Sequence, residues 1–381
     1  MSPSLVLVGV SLFTWGIGEG MFLYFVPLYL EQLGAEPFVI GTVFGAFGFA
    51  MLLAHIPAGY LSDKVGRRPL IRAAWILGLV ATWVMALGPS LEIFIAGFVL
   101  YGVTGFVSSP LFSYVTAARG ELTAGRAMTL TSAMYNLGAV IGPISGGWIG
   151  EQFSLRTIFL YSAFVFIAST ALVLFLKPQP RDLHDEQNNP RTLLANTRFL
   201  AYIAIVFFVM FAMYLPQPLT PNFLQNERGI SLSQMGTIGS LGNFGNVIFN
   251  LVLGQLNAGL GFALGQVCVA LFALLVWKGS GLPWYMFAYF LMGGYRAARM
   301  LAMAQVRLLI HQSQMGLAYG ISEAGNSMAL ILAPLLAGFL YDRDPASIYP
   351  LGLLLITIGV LVSFVFAPRE KGVARKKLFR I

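Results

Sequence analysis

From Leu5 onward the chain is built of continuous apolar runs of about 20 residues, and short polar stretches between them hold nearly all the charge. A run of that length fits a helix crossing the roughly 30 Å hydrocarbon core of a bilayer, whereas strands of a membrane barrel would alternate in polarity over about 10 residues. The pattern predicts twelve spans, near 5–30, 38–58, 70–88, 91–117, 128–150, 157–176, 199–224, 234–256, 262–280, 283–306, 316–340 and 349–367. Composition agrees: 57% of the 381 residues are hydrophobic and 10% charged, against about 25% charged in soluble domains. The first run lacks a basic flank and continues at span length, so it reads as span 1 and not as a removable leader. One cysteine, Cys268, excludes an intrachain disulfide and a cysteine-cluster metal site; no metal and no cofactor are expected.

Lys and Arg gather in cytoplasmic loops, which makes orientation readable. With both termini cytoplasmic, seventeen of the 23 basic residues fall inside and four (Arg156, Arg228, Lys278, Arg343) fall outside, while Arg296 and Arg299 lie within span 10. The net charge of +8 is therefore a topology signal and not a nucleic-acid footprint. The basic tail "REKGVARKKLFRI" is a solvated stop signal or a contact for anionic lipid.

The most polar internal stretch, "KPQPRDLHDEQNNPR", has linker composition and divides the spans six and six. The expected organisation is a six-helix unit over 1–176, a cytoplasmic linker over 177–198, a second unit over 199–367 and a tail over 368–381. The halves repeat. At an offset of 195, Gly34, Gly41 and Thr42 match Gly229, Gly236 and Thr237; Gly59, Leu61 and Gly66 match Gly254, Leu256 and Gly261. The second copy keeps these glycines, and the turn expected at them, but places Ala258, Phe262 and Ala263 where the first has Asp63, Arg67 and Arg68. Aligning Pro143 with Pro334 overlays spans 5 and 11 in the same way. Duplicated helical units joined by a polar linker are the architecture of carriers whose halves rock about a central site.

The segment Gly59-x-Leu-x-Asp63-x-x-Gly66-Arg67-Arg68 resembles the signature loop of the major facilitator superfamily. Gly138-x-x-x-Gly142-Pro143-x-x-Gly146-Gly147 resembles the span 5 motif of its twelve-helix drug:proton antiporters. One departure is that Gly97, or another apolar residue nearby, stands where those exporters usually carry an arginine on span 4. The resemblance implies an all-α polytopic membrane protein with twelve transmembrane helices in two pseudo-symmetric six-helix bundles. It also implies a cytoplasmic latch. Gly59 and Gly66 would permit a tight turn, Asp63 would face the positive end of span 11 near Gly316, and Arg67, Arg68 and Arg119 would complete the cluster.

Ionisable groups inside the hydrocarbon cost at least about 2.5–3.5 kcal/mol and are candidate functional residues. Glu19, between Gly18 and Gly20 on span 1, is the expected proton-coupling acid, with Trp15 and Phe22 on its face at helical spacing. Arg296 and Arg299 share a face of span 10 with Tyr289, and an arginine there holds an acid ionised or binds an anion. By resemblance, spans 1, 4, 7 and 10 surround the cavity. Trp15, Glu19, Phe22 and Tyr101 would line it from the first half, and Tyr214, Gln217, Tyr289, Arg296 and Arg299 from the second. Glu323 is a candidate ion-pair partner for Arg299. His55 and the Asn243, Asn246, Asn250 stripe read as packing groups more readily than as ligands. Three prolines in "YLPQPLTP" predict a kink in span 7.

These features point to a monomeric secondary transporter in a prokaryotic plasma membrane, exchanging small amphipathic molecules for protons. Two alternatives remain: a carrier or flippase for an anionic or lipid-like solute at Arg296 and Arg299, and a non-transporting sensor or scaffold. No nucleophile–base set or phosphate loop suggests an enzyme.

Overall fold

A computed structural model describes residues 2–122, 124–178, 195–306, 308–310 and 315–366, with the backbone alone described at 55–64, 109, 124–126, 129, 315–317, 319 and 320. The core of the linker, 179–194, and the tail, 368–381, lie outside the described residues.

Described residues form helices and connecting turns, with no strand among them. The first half holds α1 (Pro3–Leu23), α2 (Val26–Gln32), α3 (Pro37–Val65), α4 (Arg67–Leu87), α5 (Leu91–Val103), α6 (Ser108–Ala117), α7 (Ala124–Gln152) and α8 (Leu155–Leu174). The second holds α9 (Thr197–Tyr214), α10 (Thr220–Asn226), α11 (Leu232–Leu253), α12 (Ala258–Lys278), α13 (Leu282–Met292), α14 (Gly294–Val306), α15 (Met315–Tyr341) and α16 (Ile348–Phe366). Helix occupies each of the twelve expected stretches. Among the described residues, eight helices are individually long and apolar enough to cross a membrane, or nine if the bent α5/α6 pair counts as one. Among the others, span 4 bends between α5 and α6, Gly293 after Met292 breaks span 10, and α11 carries Ser240, Asn243 and Asn246 on a buried face; the prolines after Tyr214 end α9, which is itself one of the eight.

Local chemistry sets many of the ends. Ser2, Ser154 and Asn196 cap α1, α8 and α9 through their side-chain oxygens, and Ser231 with Gln234 forms a capping box on α11. Gly34 and Gly229 occupy equivalent turns, both with positive φ (91° and 66°), which is why both copies keep glycine there. The other expected turn glycines behave differently. Gly66 turns the chain at φ 88°, but Gly59 lies inside the helix α3, and Gly261 lies inside α12. The second copy therefore moved its turn to residues 254–257, where Asn257 caps α12.

Each half packs around aromatic side chains, and the halves meet along two seams, α7 on α11 and α3 on α15. The seams are equivalent. A Cβ on Gly236 would overlap the Pro143 carbonyl oxygen, and a Cβ on its repeat mate Gly41 would overlap the carbonyl of Pro334, the repeat mate of Pro143. Both contacts lie toward the face that the basic-residue bias assigns to the outside, called the outer face below. There Glu31 accepts hydrogen bonds from Asn222 and from Asn226 (2.6 Å), and Asn226 stands at Glu31's own repeat position. Glu151 accepts from Ser231 Oγ (2.8 Å) and from the Ser233 amide (2.7 Å) at the start of α11. Its mate Asp342 takes no side-chain hydrogen bond among the described residues, and Glu36 replaces Ser231 at that helix start.

Gly236→Ala should therefore force the α7/α11 seam apart at a cost of about 1–3 kcal/mol to the closed outer face. Spin labels on the outer ends of these helices would report a larger distance; an unchanged distance distribution would contradict the close-contact account.

Candidate transport cavity and proton site

Between the halves lies a cavity of about 280 Å³. The second half supplies Tyr214, Gln217, Asn246, Tyr289, Met292, Tyr295, Arg296 and Arg299, and the first supplies Leu23, Tyr24, Pro27 and Phe44. All five cavity residues expected from spans 7 and 10 therefore border it. The break at Gly293 places Arg296 on the first turn of α14, where its side chain is exposed to the cavity although it lies within the bundle. Arg299 is engaged elsewhere, pairing through Nη2 with Glu323 Oε2 as expected.

The first-half residues are arranged differently. Trp15, Phe22 and Tyr101 do not border this cavity; they form an aromatic core within their own half. Trp15 lies 4.8 Å from the Trp75 ring and 4.5 Å from Phe166, and fully buried Phe22 meets Tyr101 edge-on at 5.2 Å. The large apolar area of these rings is better removed from water against other rings than against a wet space, so this face of α1 turns inward. Leu23, Tyr24 and Pro27, just beyond it, face the cavity instead. Gly97, at the expected arginine position, packs against Met85 and Ala81 of α4, with no room there for a cation.

Glu19 sits between the aromatic core and the cavity, half-buried and outside the cavity's wall. Trp15 Nε1 donates to its Oε2 at 3.0 Å and the Tyr135 hydroxyl donates to the same oxygen at 3.2 Å. Tyr135 was not anticipated from sequence. The signal lies in the span 5 motif: a Cβ on Gly138, Gly142 or Gly146 would overlap the carbonyls of Phe13, Ile17 or Met21. Three motif glycines thus lay α7 against α1 of the same half, bringing Tyr135 to Glu19, while Gly147 and the Pro143 carbonyl face α11 across the seam. Arg296 lies in the electrostatic field of Tyr135, Tyr24 and Glu19.

Polar groups on α11 divide their roles. Asn243 donates to the Ala139 carbonyl and accepts from Tyr24 (3.4 Å), joining the halves; Asn246 borders the cavity; Asn250 bonds back to Asn246 O at 2.7 Å. Gln217, in the turn after α9, borders the cavity but donates back to Met213 O on that helix. Cys268 is a half-buried free thiol. The side chains of His55 and Asp63 lie outside the described residues, and the start of span 11 at Gly316 is described by its backbone alone. Of the remaining latch residues, Arg119 bonds locally to Thr116 O at 2.9 Å. No cluster of metal-binding side chains occurs among the described residues.

Comparison with known proteins agrees with this architecture. The chain is 26% identical to an uncharacterized MFS-type transporter of Methanocaldococcus jannaschii over 178 residues, a match spanning about half of each protein (46%). It is 22% identical to multidrug resistance protein 1 of Bacillus subtilis (strain 168) over 378 residues, 96% of each chain. Its fold superposes on the crystal structure of the nucleoside transporter NupG with a TM-score of 0.77 at 13% identity, covering 96% of this chain and 98% of that one. The family model of the Major Facilitator Superfamily matches residues 8–261 and 202–380. Twelve helical stretches in two repeats, sealed by glycine–carbonyl seams around a cavity, thus belong to a member of the major facilitator superfamily.

Proposed function

We propose that this transporter exports small amphipathic molecules in exchange for protons by alternating access, with Glu19 as the group that takes and releases the proton. The observation that carries the reading is a carboxyl group inside the membrane domain, held by Trp15 and Tyr135 and within the field of an arginine that borders a cavity between the two halves. An acid so placed must have a use that offsets its burial. The outer-face seams and the bonds of Glu31 and Glu151 close the cavity on that side, so this conformation is the inward-facing member of the cycle. The multidrug-resistance name of the Bacillus subtilis relative favours drug-like cargo, as do the four tyrosines at the cavity wall, which offer apolar faces with polar tips. The site belongs to a multi-pass protein of a prokaryotic plasma membrane, with both termini in the cytoplasm.

In vesicles with an imposed pH gradient, Glu19→Gln should lower gradient-driven accumulation by about 5-fold or more, the scale of an ordinary coupling energy, while downhill exchange persists. An equal response in both proteins removes Glu19 from the mechanism.

The anion-carrier reading contracts to a single residue, because Glu323 already neutralises Arg299. It predicts that Arg296→Gln abolishes discrimination between anionic and cationic dyes in transport assays, whereas Arg299→Gln leaves it nearly intact. Equal effects of the two substitutions would end that reading.

A further inference from the structure

The three asparagines spaced along α11 do not share one role. Asn243 bonds across the seam and Asn250 bonds back to its own helix, but the side-chain amide of Asn246 takes no hydrogen bond among the described residues. Asn246 is only 7% exposed, and it borders the cavity between the halves. A nearly buried amide without a protein partner is costly in the low dielectric of a membrane domain, so its retention calls for a use. We propose that Asn246 is a specificity-determining residue for cargo, pairing with a planar, uncharged group that carries an N–H beside a C=O, as in lactams, imides and carboxamides. The proposal rests on the cavity being where cargo binds, and not on which group carries the proton.

Backbone contacts put the amide in this place. A Cβ on Gly245 would overlap the Phe290 carbonyl oxygen, and a Cβ on Gly293 would overlap the backbone nitrogen of Asn246. The backbone of α11 therefore lies directly against the junction of α13 and α14, where span 10 breaks. Tyr289 stands one turn before that junction and Arg296 in the turn after it, and both border the cavity with Asn246. The shared fold does not itself require an amide here, because the matching repeat position on α3 holds Met51.

A carboxamide presents an acceptor oxygen and two donor hydrogens on neighbouring atoms. It meets an edge with C=O and N–H side by side through two hydrogen bonds at once, and turning the amide over fits the reversed edge. Cargo that offers only an acceptor makes one of the two and leaves the Asn246 oxygen bare. Arg296, a permanent cation bordering the same space, disfavours a second cation there and can donate to the remaining lone pair of the cargo carbonyl. Two tyrosine pairs at the wall, Tyr24 with Tyr289 (ring centroids 6.4 Å apart) and Tyr214 with Tyr295 (5.8 Å), suit the flat apolar body of such a compound.

The test uses naphthalimide, a flat fluorescent imide, and N-methylnaphthalimide, the same ring system without the N–H. Each is titrated into purified protein in detergent, and the ratio of the two Kd values is read with no gradient applied. Wild type should bind the parent imide about fivefold or more tightly, the scale of one net hydrogen bond, and Asn246→Leu should bring the ratio to within about twofold of unity. Asn246→Ala serves should leucine disturb folding, and Asn250→Ala should keep the wild-type ratio. A merely structural role for Asn246 would weaken both compounds alike and leave the ratio where it was. Equal affinities in wild type, failure of the parent imide to bind, or a preference that survives in both Asn246 variants overturns the proposal. In a Cys268→Ser background, a bulky maleimide attached at Met292→Cys on the cavity wall should block both compounds. Binding that persists after this attachment overturns instead the cavity as the cargo site. Loss of the preference would leave a coupling role for Glu19 untouched, since no proton movement enters the measurement.

Discussion

A helix can lie with its backbone against a neighbour's carbonyl only where no Cβ intervenes, and the architecture depends on that approach at three places. Gly236 against Pro143 and Gly41 against Pro334 close the two seams between the halves. Gly16, Gly138, Gly142 and Gly146 let α1 and α7 touch within the first half. Without hydrophobic driving force between helices in lipid, such contact is a main source of attraction. It also fixes chemistry, since a Cβ on Gly16 would overlap the Tyr135 carbonyl and displace the hydroxyl that reaches Glu19.

The charged groups are shared unequally between the repeats. The first half contributes the acid near the cavity and the two outer-face carboxylates, Glu31 and Glu151. The second contributes Arg296 and the amide, hydroxyl and backbone donors those carboxylates meet. Divergence after duplication thus made the interface complementary: at the Glu31/Asn226 pair, two copies of one position face each other as acceptor and donor, where two carboxylates would repel.

The spans, the repeat and the five second-half cavity residues were legible because bilayer thickness, glycine spacing and intramembrane charge each leave a one-dimensional trace. The facing of α1 was not. Trp15, Glu19 and Phe22 share a helical face, yet with aromatic residues available on many elements the pattern cannot reveal which neighbour takes the rings. Tyr135 escaped for a related reason: its partner is 116 positions away, and only the glycine contacts that join α7 to α1 bring the two together. The Asp63 latch rests on resemblance to the family, since its side chain lies outside the described residues and the first residues of α15 are described largely by their backbone.

The two outer seams share a backbone contact but not a fastening. The edge along α7 and α11 carries Glu151 bound at a helix start, whereas its counterpart has Asp342 and Glu36 at the two matching repeat positions. A vessel with one lip pinned and the other merely pressed together does not part evenly. Should the halves rock as proposed, the unpinned lip would yield first and the pinned one would serve as the hinge.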